Sequence, residues 1–348
     1  MNWQWVEAVL EGIPLPVVIV GADQRIASAN AAGEGIVGEG QIGRHHAIAM
    51  RQPALLAAIE TALFEGTGSQ ARYAILGPSH EETYLVTVTA VSDAEGFAAL
   101  CAFQDITEQE LISQFRRDFI ANVSHELRTP LTTLVGFIET LKGAAKDDPA
   151  ARERFLSIME QEAGRMNRLV SDLLSLSKVE AAERQRPSTL VDVAGLIDSV
   201  VATMRPLADE ADVELKLTGV ETAPEIPADA DQLKQVLQNL IENAIKYGGT
   251  DKVVTVQVHP VSDDPMLRID VVDRGEGIDP QHLPRLTERF YRIDNHRSRE
   301  KGGTGLGLAI VKHIVHRHRG RLTINSEQGN GSCFSIFLPK AGLSSPVS

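Results

Sequence analysis

Apolar side chains recur at spacings of three or four residues between positions 119 and 141, in FIANVSHELRTPLTTLVGFIETL. A helix turns about 100° per residue, so side chains at these spacings fall close to one line. The line consists of Ile120, Val123, Leu127, Leu131, Leu134, Ile138 and Leu141. His125 points about 160° away from it, and Thr129 lies one turn later on the same side. The sequence therefore predicts a helix that buries an apolar seam and exposes an imidazole.

A proline lies inside this predicted helix, five residues after the histidine. Pro130 has no N–H, so the carbonyl of Glu126 loses its helical hydrogen bond, and we expect a bend just past His125. By itself, an exposed histidine–glutamate pair on a helix indicates only a solvated pair. Whether the pair has a function depends on what the rest of the chain supplies.

The stretch GAAKDDP, residues 143–149, ends the first helix and leads into a second one. The second helix carries a heptad seam, in which two leucines are offset by three from a seven-residue series. These positions are Met159, Met166, Leu173, Leu169 and Leu176. A hairpin of two helices cannot enclose a core, so we expect two copies to pair as an antiparallel four-helix bundle. Periodicity alone leaves a purely structural coiled coil open.

The regions on either side of the hairpin have mixed patterns. Residues 1–107 contain short strands rich in β-branched residues, PVVIVGAD, RIASAN, ETYLVTVTAV and GFAALCAFQDI, with the helix PALLAAIETALFEG among them, which indicates a small α+β domain. In residues 186–341 strands alternate with helices and glycine-rich loops, which indicates an α/β sandwich. Residues 342–348 read as a tail.

Composition excludes several classes of protein. The formal charge of −13 argues against direct binding of nucleic acid. Cys101 and Cys333 are far apart and form no CxxC, which fits a reducing compartment and no zinc site. The run IPLPVVIVGA is about half a membrane span, and no secretory signal is visible. We therefore expect a cytoplasmic chain without a transmembrane segment, which could meet a membrane only through partners.

The histidines other than His125 suggest no metal or haem. We expect His45 and His46 to be exposed in a loop. The cluster of His313 with residues 316–318 has no cysteine or carboxylate partners nearby, so we expect an ordinary basic helix end.

Four motifs follow one another in the C-terminal region: NLIENAIKY at 239–247, DRGEGI at 273–278, ERFYRID at 288–294 and GGTGLGLAI at 302–310. Each alone is a weak signal, because Asp-x-Gly-x-Gly usually makes only a turn. No GxxxxGK[ST] P-loop occurs. A dinucleotide-binding fold is disfavoured, since a polar stretch instead of an apolar strand precedes the last motif.

In this order and spacing, the motifs resemble the N, G1, F and G2 boxes of two-component sensor histidine kinases, with VSHELRTPLT at 123–132 as the H box. The residues of these motifs most resemble those of the phosphate-regulon sensor kinases. The N-terminal region resembles a PAS sensor domain, with Asn30 after the second strand and a closing Asp105-Ile106-Thr107. The resemblance implies a PAS domain at 1–107, a dimerisation and phosphotransfer hairpin at 108–185, and a GHKL-type (Bergerat) ATP-binding domain at 186–341. No PAS cofactor can be assigned.

The resemblance also implies the groups that bind ATP. Asp273 would accept from the adenine amine, while Gly275 and Gly277 let the backbone approach the base. Asn243 would be the protein ligand of Mg²⁺, with Lys246 on the phosphates and Tyr247 over the nucleotide. The remaining ATP-binding positions are Asn239, Gly303, Thr304, Gly305, Leu306 and Gly307, whose glycines expose N–H groups at a helix N-terminus. Arg292 would reach the γ-phosphate, or would simply be a surface residue.

Asn239 distinguishes between two activities. Related gyrase and MutL-like ATPases have a glutamate there that activates water, and an amide cannot act as that base. The resemblance then implies that His125 takes the phosphoryl group, that Glu126 accepts the other imidazole proton, and that Thr129 orients water for dephosphorylation of the partner. The implied partners are a second copy of the chain and the receiver domain of a response regulator, a winged-helix transcription factor. A scaffold or phosphatase that binds ATP is the alternative, and a hydrolytic ATPase comes third.

Overall fold

The computed structural model of the chain describes residues 8–76, 81–93, 96–182, 185–248, 253–259, 265–293 and 303–340, except for the side chains of residues 93, 115 and 116. The chain forms two compact units, residues 1–121 and 122–348. A long helix, α4, crosses the boundary between them. None of the helices in the described part combines the length and hydrophobicity needed to cross a lipid bilayer.

The first unit is built on an antiparallel five-stranded sheet in the order β2-β1-β5-β4-β3. Its strands are β1 (Val17–Val20), β2 (Ile26–Ala29), β3 (Ser69–Leu76), β4 (Glu81–Asp93) and β5 (Gly96–Asp105). Three helices lie between β2 and β3, namely α1 (Ala31–Val37), α2 (His46–Ala49) and α3 (Pro53–Glu65). This is the α+β domain that the sequence predicts, with β3 as an additional strand.

Asn30 holds the start of this unit together. Its side chain is almost fully buried and accepts hydrogen bonds from the N–H groups of Val17 and Gly33 at 2.9 and 2.8 Å. Its amide donates to backbone carbonyls before β1, including that of Leu15 at 2.8 Å. A small polar side chain caps α1 in this way because it supplies the acceptor that the first helical N–H groups need.

The expectation that His45 and His46 are both exposed is wrong for His46. Its side chain is 1% exposed, and its Nδ1 lies 2.9 Å from the carbonyl oxygen of Gln24. The two imidazole rings stack with centroids 4.7 Å apart. The short helix α2 turns His46 inward against the sheet, a placement that no sequence periodicity signals.

Two long helices form a hairpin. The first is α4 (Thr107–Lys142), with Pro130 in its interior, and the second is α5 (Pro149–Ala181), whose first turn is capped by the Asp148 carboxylate. Phe137 and Phe155 stack across the hairpin with ring centroids 4.9 Å apart. The break at residues 143–149 thus falls where the sequence predicts it. The bend past His125 stays a prediction.

The rest of the second unit is a mixed sheet with helices against it. The strand order is β11-β12-β10-β9-β7, with β7 and β9 parallel and the other pairs antiparallel, beside a small β6-β8 pair. The strands are β6 (Leu190–Asp192), β7 (Glu214–Thr218), β8 (Glu225–Pro227), β9 (Val253–His259), β10 (Met266–Asp273), β11 (Arg321–Glu327) and β12 (Gly331–Pro339). The helices are α6 (Val193–Glu210), α7 (Ala230–Tyr247) and α8 (Gly307–Arg317). This is the predicted α/β sandwich.

Alternation along the central strand shows which side of this sheet is the core. Leu267, Ile269 and Val271 of β10 are each at most 2% exposed. They lie on one face because side chains two apart in a strand share a face. The buried stripes of α6, α7 and α8 supply the other half of the core. The chemistry-bearing motifs lie at the ends of these elements.

The end of α8 joins three parts of this unit, and the expectation of an ordinary basic helix end is wrong. His318 is 2% exposed, and its Nε2 accepts from the N–H of Asp229, the N-cap of α7, at 3.0 Å. Its Nδ1 lies 2.8 Å from the carbonyl of Ile314, so Nδ1 carries the proton. Arg317 donates to the carboxylate of Asp229 at 3.2 Å and to the Ala182 carbonyl, just past α5, at 3.1 Å.

Burial lowers the pKa of His318 from its ordinary value, because a buried imidazolium loses hydration. The folded protein therefore binds this proton less readily than the unfolded chain, whose histidines titrate near about 6.5. The stability that neutral His318 supplies is complete above that pH and is lost as pH falls below it.

We predict that His318→Gln, which keeps an acceptor for the Asp229 N–H, is less stable than wild type at pH 7.5 by about 1–2 kcal/mol. The difference in free energy of unfolding should shrink as pH falls to 5.5. Only the wild type has a buried imidazole that stays neutral in the folded protein while the unfolded chain takes up a proton. Urea unfolding of both proteins at several pH values checks this. A difference that stays constant with pH would contradict it.

Candidate active site

Helix α7 presents three polar side chains beside its apolar stripe. Its buried face consists of Leu233, Val236, Leu237, Leu240, Ile241, Ala244 and Ile245. Asn239, Asn243 and Lys246 follow at i, i+4 and i+7 and are half-buried. The Asn239 amide donates to the carbonyl of Gly307 at 3.5 Å. Within the described part of the chain, the Asn243 side chain has no hydrogen-bond partner. An amide in this position can accept a ligand without giving up an existing bond.

Asp273 ends β10 and is 5% exposed. Its Oδ1 accepts from the N–H groups of Gly275 and Ser332 at 2.9 and 3.2 Å. Burial raises the pKa of this carboxyl above its usual range, while the two backbone hydrogen bonds oppose the shift. Since both of these bonds go to Oδ1, Oδ2 is the oxygen left to accept from a bound molecule.

The glycines after Asp273 allow close contact between loops. A Cβ on Gly275 would overlap the carbonyl oxygen of Tyr247, at the end of α7. Gly277 has φ +68°, and a Cβ there would overlap the carbonyl oxygen of Glu327. The loop is therefore pressed between the end of α7 and the β11–β12 turn, an approach that only glycine permits.

The last glycine motif is tied to the ERF motif through backbone. Gly305 has φ +73°, and its carbonyl accepts from the N–H of Phe290 at 2.8 Å. Phe290 itself has φ +64°, a backbone conformation that residues other than glycine rarely adopt. Leu306 is fully buried, and α8 begins at Gly307. Gly303 and Thr304 precede this anchor, so the motif leads into a helix N-terminus as the sequence predicts.

Two of the expected phosphate-binding groups contact acidic side chains. Thr304 donates from its hydroxyl to the Asp172 carboxylate of α5 at 2.7 Å. Lys246 Nζ lies 2.6 Å from the Glu242 carboxylate. Burial raises the pKa of Asp172, and neighbouring Glu242 adds to the shift, while the Thr304 hydroxyl opposes it. No motif marks Asp172 in the sequence, because it is a lone aspartate in a heptad helix.

His125 is exposed on α4, as its place in the helix predicts. The Thr129 hydroxyl donates to the His125 carbonyl at 3.2 Å, the local bond that helical threonines often make. The expectation of an exposed glutamate beside it is wrong, because the Glu126 side chain is 13% exposed. The surface alternative for Arg292 is wrong as well, since its side chain is 4% exposed.

Glu126 joins the hairpin to the ATP-binding fold. Its Oε2 lies 2.9 Å from Nη2 of Arg165 in α5 and 3.1 Å from Nη2 of Arg292. Neither contact could be read from the sequence, because the three residues are far apart along the chain. The residue after the candidate nucleophile is thus bound by a residue of the ERFYRID motif.

Further contacts run along α5. Ser175 donates to the amide oxygen of Gln235 in α7 at 2.7 Å, and Glu180 pairs with Arg289. Among the described residues, no group of three or more His, Cys, Asp and Glu side chains could hold a metal ion. The Asn243 amide has no hydrogen-bond partner among the described residues, and its oxygen suits Mg²⁺ bound mainly by phosphate and water oxygens.

Three family profiles match successive parts of the chain. Residues 10–111 match the PAS fold, and residues 115–182 match the His Kinase A (phospho-acceptor) domain. Residues 228–342 match the histidine kinase-, DNA gyrase B- and HSP90-like ATPases.

Two curated proteins are similar to most of this chain. The chain is 42% identical over 242 residues to the phosphate regulon sensor protein PhoR of Pseudomonas aeruginosa, covering 70% of this chain and 54% of that protein. It is 38% identical over 256 residues to the sensor protein kinase WalK of Staphylococcus saprophyticus, covering 73% and 42%. The chain thus spans about half the length of these curated relatives.

A crystal structure of the histidine kinase ThkA in complex with the response regulator protein TrrA has the same fold. It matches with a TM-score of 0.52 and 21% identity, covering 96% of this chain and 98% of that one.

We predict that Gly277→Ala destabilises the second unit by about 2–4 kcal/mol, because the new Cβ meets the Glu327 carbonyl in a left-handed backbone conformation. Gly329→Ala in the facing turn is the matched control. Gly329 has φ +84° but nothing within 4 Å of a Cβ, so its cost should be only about 1–2 kcal/mol. Urea unfolding compares the two, and equal losses would contradict the packing argument.

Proposed function

Since the chain belongs to the two-component sensor histidine kinases, we propose that it transfers the γ-phosphoryl group of ATP to His125 and then to an aspartate of a response regulator. The observation that carries this proposal is the contact of Glu126 with Arg292. It brings a residue adjacent to the exposed histidine together with the ERFYRID motif of the ATP-binding domain. A domain that only hydrolysed ATP would have no need of that contact.

The base of ATP would lie against Asp273. Its Oδ2 can accept from the adenine amine, while the N–H groups on Oδ1 hold the carboxylate in place. Gly275 and Gly277 let the surrounding loop pack closely against the neighbouring backbone. Tyr247, which is exposed at the end of α7, can cover the nucleotide. Because the site makes its specific contact through one buried acceptor, a base without an exocyclic amine should bind poorly.

The phosphates would lie between α7 and the start of α8. Lys246 supplies a cation, and Gly303, Thr304 and Gly305 supply backbone donors ahead of the helix N-terminus. Mg²⁺, when bound with ATP, would neutralise charge on the phosphate oxygens, and the Asn243 amide oxygen would be its protein ligand. Asn239 anchors the start of α8 and, being an amide, cannot activate water for hydrolysis.

In the transfer itself, one imidazole nitrogen of His125 forms a bond to the γ-phosphorus as the bond to the bridging oxygen of ADP breaks. The proton on the other nitrogen leaves to Glu126, which keeps the phosphorylated imidazole neutral. Arg292 would stabilise the charge on the transferred group. Positioning and charge neutralisation supply most of the rate in such reactions.

Thr129 would act in the reverse direction. It shares the exposed face of α4 with His125, and its hydroxyl could orient a water molecule toward a phosphoaspartate docked there. In the structure this hydroxyl donates to the His125 carbonyl, so it would have to retain an acceptor role or rotate. By family resemblance, the partner would be the receiver domain of a winged-helix transcription factor. The similarity to PhoR supports phosphate supply as the pathway.

A homodimer follows from what the hairpin leaves uncovered. Between residues 122 and 182, six large apolar side chains are between 41% and 58% exposed in the single chain, namely Leu131, Val135, Ile138, Leu156, Val170 and Leu174. Exposed apolar residues on both helices favour an interface. A second hairpin placed against them would give a four-helix bundle, although the exposed residues differ from the predicted heptad seam, whose Leu169 and Leu176 are buried in the single chain.

We predict that His125→Ala still binds Mg-ATP but takes up no acid-labile, base-stable label from γ-labelled ATP. His45→Ala removes an equally exposed histidine and should label like the wild type. Chemical stability of the label after gel separation distinguishes phosphohistidine from phosphoserine. Labelling of the His125 variant at the wild-type rate would reject the assignment, and an unlabelled wild type would reject the kinase proposal.

A second prediction concerns Asp172, which holds Thr304 close to the proposed phosphate site. Asp172→Asn keeps an acceptor for Thr304 but removes a charge that repels phosphate, so Mg-ATP should bind about 3–10-fold more tightly, corresponding to about 1 kcal/mol. Asp198→Asn removes the same charge from an exposed site on α6 and should change affinity little. Calorimetric titration measures both, and weaker binding by the Asp172 variant would contradict the prediction.

A further inference from the structure

Arg165 makes an ion pair that differs from the surface pairs of this protein. Its Nη2 lies 2.9 Å from Oε2 of Glu126, and the two side chains are only 11% and 13% exposed. Pairs such as Lys216–Glu214, at 51% and 63% exposure, lie in water and contribute little. A pair as enclosed as Arg165–Glu126 is different, because removing either partner leaves a charge with little access to solvent.

The two residues come from the two helices of the hairpin. Glu126 follows His125 on α4, and Arg165 lies on α5. Both residues belong to the hairpin, so the contact of Arg165 with Glu126 involves no residue of the ATP-binding domain. Glu162 lies one turn before Arg165, with a carboxylate oxygen 4.0 Å from the guanidinium. This second acid adds to the charge that keeps the guanidinium in place.

Arg292 reaches the same oxygen of Glu126 at 3.1 Å, but from the ERFYRID motif. Two guanidinium groups therefore share one carboxylate oxygen. Their tethers differ, because one belongs to the hairpin and the other to a loop that the proposed function directs toward the γ-phosphate. If Arg292 moves to a phosphate, Glu126 loses its contact with the ERFYRID motif, while the contact with Arg165 is supplied by the hairpin itself.

We propose that Arg165 is a positioning residue for the phosphotransfer reaction: it holds the carboxylate of Glu126, the residue after His125, in its place on the hairpin when Arg292 exchanges Glu126 for the γ-phosphate. This rests on the proposed kinase function. Arg165 touches neither the nucleotide nor the imidazole, and it acts only through Glu126. Its contribution therefore arises after ATP has bound, which predicts an effect on the rate of transfer and little effect on the affinity for ATP.

A purely structural role makes different predictions. If Arg165 only joined α4 to α5, its replacement would lower the melting temperature, and activity would fall only as far as the hairpin is disturbed. The loss of activity would then be independent of which residue occupies position 126. The two roles are separated by testing whether Arg165 still matters once Glu126 has been replaced.

The experiment uses the full chain and four variants: Arg165→Gln, Arg165→Lys, Glu126→Gln and the double variant Glu126→Gln with Arg165→Gln. Arg152→Gln, at an exposed position of the same helix, is the control. Single-turnover labelling of His125 at saturating Mg-ATP gives the transfer rate, and its dependence on ATP gives KM. Thermal melting of each variant reports on folding.

We expect Arg165→Gln to slow labelling by about 10–100-fold with KM changed less than about 3-fold, the range found when a catalytic group is misplaced. Arg165→Lys keeps the charge for a single contact and should recover most of the rate. In the Glu126→Gln background, Arg165→Gln should slow labelling by less than about 2-fold more. Labelling of that background is followed for hours, since loss of a base costs about 10²–10⁴-fold.

Three results would overturn the inference: a normal rate in Arg165→Gln, an undiminished effect of Arg165→Gln in the Glu126→Gln background, or an equal loss in Arg152→Gln. If Arg165→Gln melts below the assay temperature, Arg165→Lys is tested instead. A folded Arg165→Lys protein that labels as slowly as Glu126→Gln would also overturn the inference. The failure of the kinase proposal looks different, because wild type and Arg152→Gln would then take up no label at His125.

Discussion

The carboxylate of Glu126, the residue after the exposed histidine, binds two arginines that come from different parts of the chain. Arg165 ties it to the second helix of the hairpin, and Arg292 ties it to the ATP-binding domain. All three side chains are largely shielded from water, so each charge depends on the others for compensation. The geometry of the helix that carries His125 is thereby made sensitive to the position of Arg292. Under the proposed function, a change at the nucleotide site would reach the helix of His125 through one shared oxygen atom.

A second carboxylate of the hairpin also contacts the ATP-binding domain. Asp172 accepts a hydrogen bond from the hydroxyl of Thr304. Carboxylates of the hairpin therefore contact groups that would otherwise meet phosphate oxygens. Carboxylate and phosphate are both anions that accept from the same donors, so under the proposed function the hairpin and the nucleotide would compete for Thr304 and Arg292. Ser175 and Gln235 make a further contact between α5 and α7, at 2.7 Å.

Local chemistry explains what the sequence could and could not predict. Gly277 and Gly305 could be recognised because a left-handed or closely packed backbone requires glycine, and both have φ near +70°. The helix seam of residues 119–141 was visible because periodicity is a local property. The environments of Glu126, Asp172 and His318 depend on residues 39 to 166 positions away and leave no local trace. Strand β3 was missed because its sequence, SQARYAIL, shows only weak alternation, and its pairing with β4 decides the outcome.

The hairpin has to satisfy two demands with one pair of helices. One side must pack against another apolar surface, because Leu131, Ile138 and Leu174 are more than 40% exposed in the single chain. Another side must leave His125 accessible and still bring Glu126 to Arg165. A helix separates these demands by angle, since residues three or four apart share a face and adjacent residues do not. His125 and Glu126 are adjacent, so the imidazole faces solvent while the carboxylate of the next residue is bound by two arginines.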